Sequence, residues 1–400
     1  MPRPRQLSPL ARANALLDRV ALVDSHNDLP WVIRRHPKSQ ADVAAFALHR
    51  RRRWPHRDTD IPRLRAGKVR AQFWAAFVPT MFPNPARTGL EQIELIERMN
   101  ELHPDVFLRS TRASDIGRAA RLGKIASFIG VENGAVIENS IAMLSTLYRL
   151  GVRSLTLCHN ETLDWVDSAT DVPKNGGLSN LGRDVIREMN RLGIIIDLAH
   201  TSPEVMHQVL DISSAPVAIT HANALALCDH PRNTPDDVLK RLRKNGGIIM
   251  ATFVPDFISQ AERDWLRPIE DDTGRLRPGV DPATALPARE KEAGPRPRAT
   301  LVQYCDHLEY LVRVAGIDHV GIGSDFFGGA APVGLEDVSK FPNIFAEMFR
   351  RGWSEGPLAK IAGANFRRVF RAVEREAEKA KRPVRKRAFP RIRRSVDVRP

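Results

Sequence analysis

The sequence predicts an α/β fold, a (β/α)8 TIM barrel with long βα-loops, and three observations carry the prediction. Short runs that are apolar throughout alternate along the chain with segments of helical spacing. A strand buried on both faces reads as an unbroken apolar run, and helices must then cover a parallel sheet. Eight such runs occur, near residues 20, 72, 125, 154, 194, 217, 248 and 319, and eight is the number that closes a barrel of this kind. No Gly-x-Gly-x-x-Gly follows the first run, which speaks against an open, dinucleotide-binding sheet.

The first run, residues 20–23, leads into Asp24-Ser25-His26-Asn27-Asp28-Leu29-Pro30. A polar, arginine-rich stretch, residues 34–70, follows as a long βα-loop. The second strand, residues 72–78, is stopped by Pro79. Leu90, Ile93, Ile96 and Met99 recur at helical spacing, and a further helix over residues 113–121 ends at Gly123. From there the alternation is regular. Strand 125–131 precedes helix 141–150, strand 154–157 precedes helix 181–192, and strand 194–198 precedes a helix opened by Ser202 as N-cap and Pro203 at its first position. Strand 217–220 then precedes helix 238–244, and strand 248–253 follows Gly246-Gly247. Helix 301–314 comes before the last strand, 319–322. Residues 265–299, rich in Pro, Arg, Asp and Glu, show no periodicity and read as an insertion after the seventh strand, mobile or partly ordered. Two or three closing helices occupy residues 337–377, the last beginning at Asn365-Phe366. The expected organisation is a barrel domain over residues 1–375 and a basic, disordered tail over residues 376–400.

Composition narrows the function classes. A hydrophobic share of 42% is enough for a large core, and no apolar run approaches the ~20 residues that span a bilayer. The first residues hold early arginines but no continuous apolar stretch or small-residue cleavage pattern, so no secretory signal is read. Three widely spaced cysteines, Cys158, Cys228 and Cys305, exclude a disulfide scaffold and a thiolate zinc site and fit a reducing compartment; the expected location is cytoplasmic. The net charge of +14 is concentrated: from Lys379 onward there are ten Lys/Arg and a single acid, Asp397, and a second cluster is Arg50-Arg51-Arg52-Arg53. Charge held in a tail and a loop reads as solvated extension, so nucleic acid is not the expected partner.

The polar residues at the ends of the runs carry the chemistry. His26 and Asp28 follow the first run, Glu132 the third, His159 the fourth, His200 the fifth, His221 the sixth and Asp325 the eighth. In an extended segment residues i and i+2 project to one side, so His26 and Asp28 can aim at a single point. Any one of these residues could simply mark where a strand leaves the core. Together they would converge on the carboxyl-end face of the barrel, where active sites lie. Histidine with carboxylates and no thiolate suits zinc, or manganese or cobalt. Three histidines, an aspartate and a glutamate are too many for one open catalytic zinc but suit two ions sharing a carboxylate. Glu132 can give one oxygen to each.

Several motifs together resemble the membrane dipeptidase (renal dipeptidase) family of binuclear zinc peptidases, within the amidohydrolase-like barrels. They are Asp24 to Pro30, Asp60-Ile61-Pro62-Arg63-Leu64-Arg65-Ala66-Gly67, Gln72-Phe73-Trp74, Ile129-Gly130-Val131-Glu132 and Leu155-Thr156-Leu157-Cys158-His159. Further along come Ile196-Asp197-Leu198-Ala199-His200, Arg232-Asn233 and Gly334-Leu335-Glu336-Asp337-Val338. The resemblance covers residues 18–375. It implies a dipeptidase that holds two Zn2+ ions, one on His26 and Asp28, the other on His200 and His221, with Glu132 bridging, and that hydrolyses dipeptides, L-D as well as L-L, through a metal-bridging hydroxide. It further implies that His159 faces the scissile carbonyl, Arg232 binds the substrate carboxylate, and Asp325 moves the protons. A homodimer is implied as well. The chain departs from the family at Phe327, where members often carry a second aspartate, and in lacking both the disulfide cysteines of animal ectoenzyme members and a C-terminal lipid-anchor signal.

Two other readings stay open at this point. The same barrel and metals could serve another amide, such as an acyl-amino acid or a lactam, which would not need Arg232. A non-catalytic, anion- or nucleic-acid-binding protein would instead work through the basic tail.

Overall fold

Nine strands, all paired in parallel, make up the sheet of the computed structural model, which describes residues 7–37, 41–51 and 58–381. They are β1 (Leu22–Asp24), β2 (Val69–Phe77), β3 (Phe107–Arg109), β4 (Ile125–Glu132), β5 (Val152–Thr156), β6 (Ile195–Asp197), β7 (Ala218–Ile219), β8 (Ile248–Ala251) and β9 (Val320–Ile322). The hydrogen-bonded order is β2-β1-β9-β8-β7-β6-β5-β4, and a seven-residue ladder from Ala71↔Ala126 to Phe77↔Glu132 joins β2 to β4 and closes the ring. The result is a closed eight-stranded parallel barrel, as expected. All eight apolar runs are its staves. β3 lies outside the ring, paired to the first residues of β4 (Phe107↔Ile125, Arg109↔Ser127); three residues are too few to carry a readable pattern.

Alternation along β4 shows how the sequence sorts its side chains. Ala126 and Phe128 pack in a cluster with Ala71 and Phe73 of β2, Ala218 of β7 and Met250 of β8, whereas Ile125, Ile129 and Val131 join the larger layer shared with the helices. Residues of one parity share a face, so Glu132 stands on the same inner face, at its carboxyl end. At Gly130 between them a Cβ would lie 2.6 Å from Ser154 Oγ, so a larger residue there would have to turn that hydroxyl aside. The closing helix Asn365–Lys381 seals the inner cluster with Phe366, Val369, Phe370 and Val373. Phe73 and Phe128 stack at 4.6 Å, and Phe366 meets Phe73 edge-on at 5.1 Å. This helix runs past the expected domain boundary at 375 and buries Ala377. The tail beyond it, and Arg52 and Arg53 of the second basic cluster, lie outside the described residues.

The connecting segments hold more structure than their sequences show. The stretch expected as a long loop over residues 34–70 carries helix Val43–Phe46 and helix Ile61–Ala66, the latter capped by Asp60, whose side chain accepts from Arg63 N at 2.9 Å. Ser202 caps helix Pro203–Ile212 as the sequence predicts. Residues 265–299 differ most from expectation. They contain helix Pro282–Ala293 and a small core of Trp265, Leu266 and Ile269 covered by Val280, Ala285 and Leu286. Trp265 Nε1 donates to Gly294 O at 3.1 Å and Arg289 Nε to Trp265 O at 3.1 Å. This satellite core draws on only six apolar residues spread over residues 265–286, too few and too widely spaced to give a periodic signal. Among the described residues no helix is long and apolar enough to cross a membrane, and Cys158, Cys228 and Cys305 are free and buried.

Candidate metal centre

All eight residues singled out from the sequence meet at the carboxyl end of the barrel. Only Glu132 is itself a strand residue; the others lie two to four residues beyond their strands, or in the case of Arg232 in the loop after β7. The two oxygens of Glu132 face different partners. Oε2 lies 3.4 Å from His26 Nε2, while Oε1 lies 3.1 Å from His200 Nε2, 3.5 Å from His221 Nε2 and 3.8 Å from His159 Nε2. His26 Nε2 is also 3.5 Å from Asp28 Oδ2 and 3.8 Å from Asp325 Oδ1. Donor atoms within 4.8 Å of one another form three overlapping sets: His26, Glu132 and His221; Glu132, His159 and His200; His26, Asp28 and Asp325. His200 and His221 share no set of their own, and meet instead through Glu132 Oε1.

The donor set fits a cation. His26 Nε2 and His221 Nε2 are buried with no hydrogen-bond partner, a costly state for a ring nitrogen unless something else occupies its lone pair. Burial, then the positive charge of Arg232 or of neighbouring imidazoles, pushes the pKa of His200 and His221 well below its ordinary value, so both rings are neutral, the form that ligates. Around His26 burial opposes the charged form, but Glu132 and Asp28 overcome it and raise its pKa. Burial likewise lifts Asp325 to about 7. Three carboxylates in this small volume call for positive charge, and divalent ions would meet that demand and draw Asp325 back down.

Two further carboxylates, which the sequence shows only as members of motifs, hold the site in place. Asp24 accepts from Ser324 N and Ser324 Oγ, both at 2.7 Å, and from Gln72 Nε2 at 2.9 Å, while Asp325 N donates to His26 O at 3.1 Å. Asp24 thereby ties β1 and β2 to the loop after β9 and fixes His26, Asp28 and Asp325 together. Asp197 accepts from Thr220 Oγ1 at 2.6 Å, and the same Oγ1 lies 2.9 Å from His221 Nδ1. Thr220 spends its one hydroxyl proton on the carboxylate, so its oxygen can only accept from His221 Nδ1–H. That leaves the lone pair on Nε2, facing Glu132. The hydrogen bond on one ring nitrogen sets the free one. A readable signal existed for both: a lone acid ends an apolar run just before a histidine, in Asp24-Ser25-His26 and Asp197-Leu198-Ala199-His200.

A cavity of ≈ 460 Å³ opens over this cluster, ample for a small ligand. Asp28, Glu132, His159, His200, Arg232 and Asp325 line it, and His26 and His221 adjoin it through Glu132. Trp31 and Phe77, 5.1 Å apart, give it an aromatic wall, and Phe77 lies 4.7 Å from His159. Phe327, the residue that departs from the family pattern, is on the lining too. Sequence reading missed the wall supplied by residues 254–257 and by Leu266, Glu270, Asp272, Thr273 and Gly274. Burial and then Arg232 push the pKa of His159 down to about 3, keeping that ring neutral. Arg232 is 3% exposed; its Nη2 donates to His221 O at 3.5 Å, its guanidinium lies 5.3 Å from the Phe257 ring, and its Nε has no partner.

Comparison with known proteins agrees with this geometry. The family model described as membrane dipeptidase (peptidase family M19) matches residues 10–384. Dipeptidase tcpJ of Claviceps purpurea is 38% identical over 387 residues, spanning 92% of this chain and 81% of its own. Dipeptidase 3 of Mus musculus is 36% identical over 377 residues, spanning 92% and 68%. Among solved structures, the probable dipeptidase PvdM of Pseudomonas aeruginosa matches with a TM-score of 0.79 at 26% identity, over 92% of this chain and 99% of that one.

Proposed function

The chain belongs to the membrane dipeptidase family, a metallo-dipeptidase, and on that premise we propose that it holds two zinc ions, one on His26 and Asp28 and one on His200 and His221, with Glu132 between them. The observation that carries this reading is the division of Glu132: Oε2 toward His26, Oε1 toward His200 and His221. His159 is the farthest of the four histidines from that carboxylate, at 3.8 Å, and its side chain is the most open, at 18% exposure against 6% or less for the others. It is therefore assigned to substrate and not to metal.

When bound, the two cations supply Lewis acidity, polarising the scissile carbonyl and lowering the pKa of water at the site. The chain's own groups do the rest. Arg232, always charged and forked, takes the free carboxylate of the dipeptide and favours dipeptides over longer chains. His159, neutral, donates to the carbonyl oxygen as it gains charge. Asp325 accepts a proton from the attacking water and passes it to the leaving amine nitrogen. Trp31 and Phe77 exclude water from one side of the cavity.

Metal analysis combined with hydrolysis of a panel of L-L and L-D dipeptides tests the proposal. The expected result is about two divalent ions per chain and cleavage that disappears with a chelator and returns with zinc. A metal-free sample with full activity would sink it, as would a Glu132→Gln variant that keeps both ions at unchanged affinity.

A further inference from the structure

We propose that Asp256 and Glu270 form the subsite for the side chain of the substrate's C-terminal residue and select Lys or Arg there. This rests on Arg232 holding the adjacent carboxylate. Both acids line the cavity, one from the short helix Pro255–Ile258 after β8 and one from the 265–299 segment. The other charges on this wall are already engaged: Asp272 pairs with Arg263 at 3.0 Å, and Arg296 with Glu262 at 2.8 Å. Among the described residues, no Lys or Arg forms an ion pair with Asp256 or Glu270. Asp256 Oδ2 lies 3.5 Å from His230 Nε2, and burial holds that ring neutral. Arg263 and Arg296 act on Asp256 through space, and Arg296 on Glu270, but Arg263 Nη2 is paired with Asp272 and Arg296 with Glu262, and Arg263 Nε is buried without a partner. Desolvation raises the pKa of both carboxylates, Asp256 to about 6, as it does where counter-charge is missing.

Arg232 points to a ligand in the same cavity: it is buried, it lines that cavity, and its Nε is unpartnered. Arg232 N donates to His230 Nδ1 at 3.1 Å, and the far nitrogen of that ring is the one facing Asp256. Phe257 lies beside both, 5.3 Å from the Arg232 guanidinium and 4.2 Å from the His230 ring. With its carboxylate on the Arg232 guanidinium, the C-terminal residue would stand on the Phe257 side of the cavity, whose lining also includes Leu266 and the two acids. An apolar stem ending in a positive charge is the shape and charge of Lys or Arg.

The test measures kcat/KM of the zinc-loaded protein for Ala-Lys, Ala-Met and Ala-Glu, the second matching lysine in length without its charge. The expected order is Ala-Lys over Ala-Met over Ala-Glu, with the first ratio on the order of tenfold. Asp256→Asn and Glu270→Gln should each shrink the Lys:Met ratio, and Glu270→Lys should move the preference toward Ala-Glu, which a merely structural role would not produce. A wild-type Lys:Met ratio near one, or a ratio that both neutral variants leave unchanged, overturns the inference while the dipeptidase reading stands. Failure of the loaded protein to cleave any of the three overturns both.

Discussion

Asp197 is the residue whose replacement separates folding from metal binding. It is 2% exposed and accepts four hydrogen bonds: from Ala199 N at 3.0 Å and Thr220 N at 2.9 Å on Oδ1, and from Thr156 Oγ1 at 2.5 Å and Thr220 Oγ1 at 2.6 Å on Oδ2. Asp197→Ala removes the acceptor for two backbone N–H groups and two hydroxyls. Each buried group left unpaired costs about 1–3 kcal/mol; with hydroxyl rotation and entering water, a total of about 4 kcal/mol is expected, a large part of a domain's stability. Asp197→Asn acts differently. Its carbonyl oxygen can keep both backbone partners, but its amide now donates to the threonine oxygens. Thr220 must then turn its hydroxyl toward His221 Nδ1, which moves the ring proton to Nε2 and removes the lone pair that faces Glu132. The expected outcome is an Asn variant that unfolds within about 1–2 kcal/mol of wild type in its metal-free form yet binds zinc at least about tenfold more weakly, and an Ala variant that loses both. Denaturant unfolding without metal and zinc titration of the same samples read the two effects separately. An Asn variant with wild-type zinc affinity would refute the tautomer argument, and an Ala variant as stable as wild type would refute the packing argument.

Other perturbations address single roles. Arg232→Ala should lower kcat/KM for dipeptides roughly 10- to 150-fold, mostly through KM, and should hardly affect the corresponding dipeptide amides; equal losses on both would remove Arg232 from carboxylate binding. Asp325→Asn should cut turnover by roughly 10²- to 10⁴-fold with metal content unchanged; a variant that loses its ions instead would make Asp325 a ligand. Away from the site, His307 accepts from Ala224 N at 3.2 Å through Nδ1 and bonds Ile258 O at 3.0 Å through Nε2, and burial holds its pKa down at about 4. The unfolded chain, with an ordinary histidine near 6.5, binds more protons between these values, so stability falls as pH drops through that window. The metal-free protein should lose about 2 kcal/mol more than His307→Gln between pH 7 and pH 5, read by urea unfolding; parallel losses would discount the histidine.

What the sequence could show was whatever a single run of residues carries. Each barrel strand is buried on both faces, so its apolar run is complete in itself, and each ligand type stands just beyond one. β3 fails that test because three residues paired to the start of β4 hold no pattern. The wall of Glu270 and Asp272 fails it because those residues stand in the segment that Trp265 and Ile269 fold into a small core, and their own run of sequence carries no pattern. Backbone conformation at the site was hidden for the same reason. His200 and Asp325 adopt φ of 69° and 59°, a region disfavoured by their Cβ atoms, and nothing in their own neighbourhood of sequence requires it. It persists because the surrounding hydrogen bonds over-determine the turn: Ala169 N to His200 O at 2.8 Å on one, Asp325 N to His26 O at 3.1 Å on the other. The step from a set of ligand-type residues to a working site is of this kind throughout. Histidine at position 221 is a local fact, but the nitrogen it leaves free is set by Asp197 on β6 acting through Thr220 beyond β7, and it matters only because Glu132 of β4 faces it. The chemistry therefore resides in closure of the barrel, which brings those three strands to one point, and a change that leaves every ligand in place can still abolish the site by altering one hydrogen bond behind it.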